Sequence, residues 1–367
     1  VDPARVRGSV APGDGCLMPV GYLLTVTLVS WGVTCALTRW RRPGPVCAIP
    51  ALLVNELPFI VGYVLVASTV LALIEGDLDS VAGAVGAGVA LLALAGLGVI
   101  VGRATRAHAA LHLDGRPHRP WVRILAAPFV QGAGNLVRVP DRSYGDGPSP
   151  TAQAARSRRT LDVYHRRDRP SGVPVLLHLH GGGFHSGDKR REARPLIRYL
   201  TATCGIVCVS ANYRLQPQAT LAEQVADAHA AIAWVREHAA EYGGNPEALF
   251  IAGSSAGAYL AIRAVGERTD AIAGLIGRYG YYGDLTLRDG PPLLVIHGQN
   301  DLVVPASHAR AFAERSRAAS RAPVRYAELP GAHHDFDLFE SIRSAAVNQA
   351  VAAFIADSTR TSPSPPG

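Results

Sequence analysis

Ala248-Leu249-Phe250-Ile251-Ala252-Gly253-Ser254-Ser255-Ala256-Gly257-Ala258-Tyr259-Leu260 is the stretch that decides the fold. Residues 248–252 read as a buried strand, and residues 256–265 carry apolar positions at helical spacing. Gly253-Ser-Ser-Ala-Gly257 joins them, which is the pattern of a sharp strand-to-helix turn. Such a turn needs small neighbours and lifts its central side chain clear of the strand's carboxyl end. The following helix aims its leading N–H groups and positive dipole end at the same place. The pattern alone also fits a plain turn, because Gly, Ser and Ala are common here. Ser254 competes with Ser255, but only Ser255 holds the central position.

The pattern extends in both directions. Residues 173–179, 205–211, 272–276, 292–297 and 324–329 read as further strands. Residues 221–240, 307–318 and 342–356 read as helices, the first stopped by Gly243-Gly-Asn-Pro246. Alternation of this kind predicts an α/β class with a mostly parallel sheet and helices on both faces.

His180-Gly181-Gly182-Gly183-Phe184 follows the strand at 173–179. Consecutive glycines let backbone N–H groups approach a substrate oxygen with no side chain in the way. Amides of Gly182, Gly183 and Ala256 would form an oxyanion hole. A phosphate cradle would want a following Lys-Ser/Thr or a GxGxxG spacing, and neither is present. A serine hydroxyl needs a base, and Gly331-Ala-His333-His334-Asp335-Phe336 offers two candidates in a loop after the last strand. The base needs a carboxylate to fix its tautomer, and Asp301 in His297-Gly-Gln-Asn-Asp301 stands just after a strand. The order is then Ser, Asp, His. His178, His180 and His185 cluster in sequence, but strand and glycine-motif positions favour structural roles over a metal. Asp227 reads as structural, and Asp335 and Asp337 as solvent-facing or loop-stabilising.

Residues 161–355 resemble the bacterial hormone-sensitive-lipase-like esterases of the α/β-hydrolase superfamily. The resemblance rests on His180-Gly-Gly-Gly-Phe184, Asn212-Tyr-Arg-Leu215, Gly253-Ser-Ser-Ala-Gly257, His297-Gly-x-x-Asp301 and His334-x-Phe336, in that order. It implies an α/β-hydrolase fold and carboxylic-ester hydrolysis without a cofactor. It places the nucleophile at Ser255, the acid at Asp301 and, through the His-x-Phe pattern, the base at His334 rather than His333. The oxyanion glycines fall on Gly182 and Gly183. One departure is the short stretch 277–284 where such esterases carry a longer insertion roofing the acyl pocket, with Tyr279, Tyr281 and Tyr282 either lining a pocket or packing.

The N-terminal third differs in kind. Residues 17–37 and 81–102 are uncharged apolar runs, and residues 46–74 form a third, broken by Asn55, Glu56 and Pro58. A bilayer core needs about 20 apolar residues of helix, so about three transmembrane helices are expected. A cleaved signal peptide explains only the first run. Arg39, Arg41 and Arg42 follow the first run, acidic residues the second, and Arg103 and Arg106 the third. The positive-inside rule then puts the N-terminus outside and the catalytic part in the cytoplasm of a multi-pass membrane protein. Residues 103–139 read as either an amphipathic segment on the membrane surface or the hydrolase's first helix. The expected division is residues 1–105 membrane, 106–160 juxtamembrane segment and linker, 161–357 hydrolase, and 358–367 a disordered Ser/Pro-rich tail.

The 367 residues are 48% hydrophobic and 18% charged, with net charge +7. The positive excess is almost all arginine, and no basic stripe with interleaved aromatics points to nucleic acid. The five cysteines fit no zinc or CxxC spacing. The expected partners are a small-molecule or lipid ester and the membrane. The alternatives are another triad-based acyl-transfer enzyme (amidase, deacetylase or acyltransferase) and a non-catalytic hydrolase-like sensor.

Overall fold

The structure is a computed structural model that describes residues 20–38, 45–130, 132–145, 159–267 and 271–361. The arginine-bearing loop after the first apolar run and the last six residues of the expected tail lie outside the described residues. The helices of the N-terminal third are α1 (Val20–Leu37), α2 (Pro45–Glu56), α3 (Pro58–Ile74) and α4 (Val81–Thr105). Two short helices follow, α5 (Ala107–Ala110) and α6 (Trp121–Ala126). The remainder runs β1 (Leu136–Ser143), β2 (Thr160–Arg166), β3 (Val173–Leu179), α7 (Arg194–Ala202), β4 (Val207–Ala211) and α8 (Leu221–His238). It continues β5 (Gly244–Ser254), α9 (Ala256–Gly266), β6 (Gly274–Arg278), β7 (Leu293–Gly298), α10 (Ala306–Ala319), β8 (Val324–Leu329) and α11 (Ile342–Thr361).

The eight strands form one sheet in the order β1-β2-β4-β3-β5-β6-β7-β8. β1 and β2 pair antiparallel, as do β2 and β4, and every other pairing is parallel. The central strands are apolar runs because helices cover both faces. One core joins the sheet to α8, α9 and α10 through residues such as Val209, Ile232, Ile251, Leu260 and Phe312. A second joins the opposite face to α7 and α11 through Leu176, Leu196, Phe250, Val347 and Phe354.

Two boundaries differ from the expected division. The sheet starts at β1, inside the segment read as a linker, and α11 continues to Thr361, past the expected start of the tail. The 46–74 run is also not one rod. It breaks at Leu57, before Pro58, into α2 and α3 at a 93° bend. A residue preceding proline is driven out of the helical region, and Leu57 has ψ 41°.

α1, α3 and α4 pack side by side as a bundle. The Thr69 hydroxyl faces the Tyr22 hydroxyl at 3.5 Å at one end. At the other end Arg103 Nη1 donates to the Leu37 carbonyl at 3.4 Å. α1 and the stretch Val81–Ala110 are each long and apolar enough to cross a membrane, and the bent pair is a third candidate. The outward side chains of the bundle are themselves apolar, including Leu24, Leu28, Leu73, Ile74, Leu91 and Leu92. α2 lies across the end of the bundle nearest the sheet. There Val33, Ala51, Val54, Leu97 and Ile100 form a small core that reaches Leu302, in the loop after β7.

Candidate active site

Ser255 stands at φ 50° and ψ −118°, between the last residue of β5 and the first of α9. An L-residue rarely adopts that backbone, and the surrounding contacts hold it there. The Ser255 N–H donates to the Arg278 carbonyl at 3.0 Å. A Cβ on Gly257 would run into the carbonyls of Leu179 and His180, so α9 can press against the end of β3 only with glycine at that position. The sheet thus delivers Ser255 to the carboxyl edge of its central strands.

Two loops from the same edge meet it. The loop after β7 brings Asp301 and the loop after β8 brings His334. His334 Nδ1 donates to Asp301 Oδ2 at 2.7 Å, and the Ser255 hydroxyl lies 3.0 Å from His334 Nε2. A carboxylate accepts only, so the imidazole proton sits on Nδ1 and leaves Nε2 free to accept from the serine. The other Asp301 oxygen accepts the N–H groups of Val303 and Val304, each at 2.8 Å. His297, fully buried beneath, holds its Nε2 3.2 Å from Asp301 Oδ2. Burial alone would raise the Asp301 carboxyl, but hydrogen bonds from His297 and His334 outweigh it and hold it well below the usual carboxylate range. Burial works against a charged His334, while the hydrogen bond and charge of Asp301 lift it above the ordinary histidine value. His333 points the other way. Its Nε2 donates to the Ala36 carbonyl at the end of α1, at 3.3 Å.

The glycine loop closes the third side. Gly182 takes φ 118°, a conformation that glycine alone adopts without strain. The Gly182 and Gly183 amides find no backbone acceptor among the described residues. The Ala256 amide is the first of α9, one of the leading groups that lack an intrahelical partner. The Asn212-Tyr-Arg-Leu215 segment braces this loop. Tyr213 donates to the His180 carbonyl at 2.8 Å and stacks on the His180 ring. The Asn212 side-chain oxygen accepts from the Lys189 N–H at 2.6 Å, and Arg214 is clamped on the buried carboxylate of Asp227. A cleft of about 460 Å³, walled by Phe184, Leu221, Tyr259, Tyr281 and Leu285 with Arg263 at its edge, adjoins the site through Tyr281, whose N–H donates to the Ser255 carbonyl at 3.4 Å. Tyr281 lines this cleft, whereas Tyr279 and Tyr282 are fully buried.

Three participants escaped the sequence reading. Arg278 and Asp337 form a fully buried ion pair behind the serine, and Tyr279 donates to the same carboxylate at 2.7 Å. Arg278 also donates to the Ser254 hydroxyl at 2.9 Å, and His178 Nε2 lies 3.1 Å from that oxygen on its other side. Asp337 is therefore neither solvent-facing nor merely a loop residue. The edge of the Tyr279 ring meets His334 with centroids 4.8 Å apart. The third is Glu192, whose carboxylate accepts the Gly181 N–H at 2.6 Å. Burial and then the neighbouring Asp335 push it up to about 7.

Residues 176–279 match a family model described as the alpha/beta hydrolase fold. Esterase LipQ of Mycobacterium tuberculosis is 34% identical over 247 residues, covering 53% of this chain and 58% of LipQ. The probable carboxylic ester hydrolase LipM of the same organism is 33% identical over 261 residues, covering 56% of this chain and 60% of LipM. The chain thus spans less than two thirds of the length of these relatives. Among solved structures, a propionate-bound esterase from Thermogutta terrifontis superposes with a TM-score of 0.51 at 23% identity, over 61% of this chain and 96% of that one. An esterase from Rhizomucor miehei gives 0.53 at 21%, over 71% and 98%. These structures carry the fold. The resemblance to hormone-sensitive-lipase-like esterases is supported by relatives that are themselves named esterases.

Proposed function

We propose that this chain is a membrane-tethered serine carboxylic-ester hydrolase. The observation that carries the reading is the unbroken hydrogen-bonded line from Ser255 through His334 to Asp301 beside the bare amides of the glycine loop. In the proposed cycle the Ser255 oxygen attacks the acyl carbon as His334 Nε2 takes its proton. The resulting oxyanion rests on the amides of Gly182, Gly183 and Ala256, each such donor contributing about 3 kcal/mol to the transition state. His334 returns the proton to the leaving alcohol. Water, activated by the same imidazole, then releases the acid from the acyl-enzyme. Asp301 keeps the imidazole oriented and stabilises its charged form throughout.

The tether is α1, the α2–α3 pair and α4, with the hydrolase region beginning at β1. Their apolar outward faces support a bilayer environment. The arginines that follow the first and third apolar runs support a cytoplasmic hydrolase, with the acidic turn at Glu75, Asp77 and Asp79 on the far side. The cleft of Phe184, Tyr259 and Tyr281 fits a short to medium acyl or alcohol group.

The test is the purified full chain with p-nitrophenyl esters of increasing acyl length. Ser255→Ala is expected to remove turnover and fluorophosphonate labelling while leaving the unfolding midpoint unchanged. Ester turnover that survives in that variant would remove Ser255 from the mechanism.

A further inference from the structure

A second cavity, of about 280 Å³, lies away from Ser255 between β1, β2 and α7. Four arginines line it, Arg138, Arg190, Arg194 and Arg198, with Tyr164 and the apolar side of Ile197. The positive charge there is not fully answered. Arg138 and Arg190 share the buried carboxylate of Asp162 with Lys189, and Asp141 bridges Lys189 and Arg190. Arg198 is paired with Glu340, but its buried Nε has no partner. Arg194 meets no carboxylate among the described residues and donates only to the Arg190 carbonyl. Arg123 stands close by. It is held below the usual guanidinium range first by burial and then by Arg198.

The surroundings of the mouth are apolar and continuous with the helix bundle. Arg123 Nη1 and Nη2 donate to the carbonyls of Val130 and Gly132 at 2.7 and 2.8 Å, and Gly132 lines the cavity. The neighbouring side chains of Trp121, Val122, Phe129 and Val130 are exposed. α6, which carries the first two, is anchored to the bundle through Ile124, packed with Phe59, Val101 and Ala104. A pocket of guanidinium groups beside an exposed apolar rim, next to helices that reach bilayer length, suits a ligand that is anionic at one end and hydrocarbon at the other.

We propose that this cavity binds the phosphate headgroup of an anionic phospholipid, with the acyl chains lying against Trp121, Val122, Phe129 and Val130. The site rests on the membrane-tethered reading. It would fix the height and tilt of the hydrolase region on the membrane surface independently of the ester cleft.

The test uses the full chain in detergent micelles, titrated with short-chain phosphatidylglycerol, phosphatidylcholine or glycerol phosphate, following the unfolding midpoint. Phosphatidylglycerol is expected to raise the midpoint with saturation, and phosphatidylcholine to leave it unchanged. Arg194→Gln is expected to weaken the apparent affinity about fivefold, the effect of one cation near an anionic lipid surface. Arg116→Gln, an exposed arginine outside the cavity, is expected to bind like the parent. Undiminished affinity in Arg194→Gln would overturn the site. An equal loss in Arg116→Gln would replace it with diffuse surface charge, and a full shift with glycerol phosphate would make it a free-phosphate site. Flotation of the parent protein with phosphatidylcholine vesicles reads the tether separately. Protein that fails to float loses the tether, while a flat phosphatidylglycerol titration on protein that floats sinks only the pocket.

Discussion

The imidazole facing Ser255 must be neutral to accept a proton, and Asp301 makes that harder by favouring the charged form. The environment lifts His334 above its ordinary value, so kcat/KM is expected to rise with pH along a limb centred above about 6.5. Asp301→Asn removes the charge and disturbs the tautomer. It should move that limb to lower pH and reduce kcat about 10⁴-fold, both measurable in one pH–rate series. A limb unmoved in that variant would mean another group controls it. Glu192 makes a separate prediction about stability. Its carboxyl is raised from 4.5 to about 7 in the folded chain, so the unfolded chain ionises first. Stability from this group is therefore fully present below pH 4.5 and is lost as pH rises through about 7. The full loss is about 3 kcal/mol. Glu192→Gln keeps an acceptor for the Gly181 N–H and cannot ionise. Its thermal midpoint should match the parent in acid and exceed it above neutrality, and parallel profiles would contradict a protonated Glu192. Nothing in Arg190-Arg191-Glu192-Ala193 marks this carboxyl as buried, because three charged residues in a row read as surface.

Elements were legible where local chemistry and tertiary packing agree. The β5–α9 turn announces itself because glycines, serines and a buried strand must coincide there. The loop bearing Asp301 follows the fully buried β7, while the loop bearing His334 follows β8, whose inward side alone is apolar. β1 was illegible for the opposite reason. Leu136-Val-Arg-Val-Pro-Asp-Arg-Ser143 alternates weakly, contains a proline and charges, and pairs on one side only. Its register shifts between Val139 and Arg142, around Pro140, as suits an edge strand that resists further pairing. The 46–74 run shows hydropathy outvoting a stop signal. The run as a whole is apolar enough for a span, yet Asn55, Glu56 and Pro58 interrupt it and the chain turns there through 93°. Arg278 and Asp337 lie 59 residues apart, and only the closing of β6 against the His334 loop brings them together. Single-sequence patterns hold no trace of such a pair.

At the scale of the whole molecule, the bundle and the hydrolase region share buried polar contacts at the rim of the candidate site. Glu56, at the α2–α3 bend, accepts the Ser341 hydroxyl at 2.6 Å and Arg343 Nη1 at 3.2 Å. The same Nη1 donates to the Asn55 carbonyl at 2.9 Å, and both Glu56 and Arg343 are buried. His333 and Leu302, the residues adjoining His334 and Asp301, each touch the bundle as well. The base and acid loops are thus seated partly on helices that the fold of the hydrolase alone would not supply. Breaking a buried ion pair by removing one partner costs about 3–5 kcal/mol, because the other charge is stranded, whereas an apolar replacement of both costs little. Arg343→Met is therefore expected to lower stability by that amount and to reduce ester turnover as the 331–334 loop loosens. Glu56→Met with Arg343→Met should recover most of both, and a double-mutant cycle on the unfolding free energy reads the coupling directly. Losses that merely add in the double variant would mean that Glu56 and Arg343 are not coupled, and that this pair does not seat the 331–334 loop on the bundle.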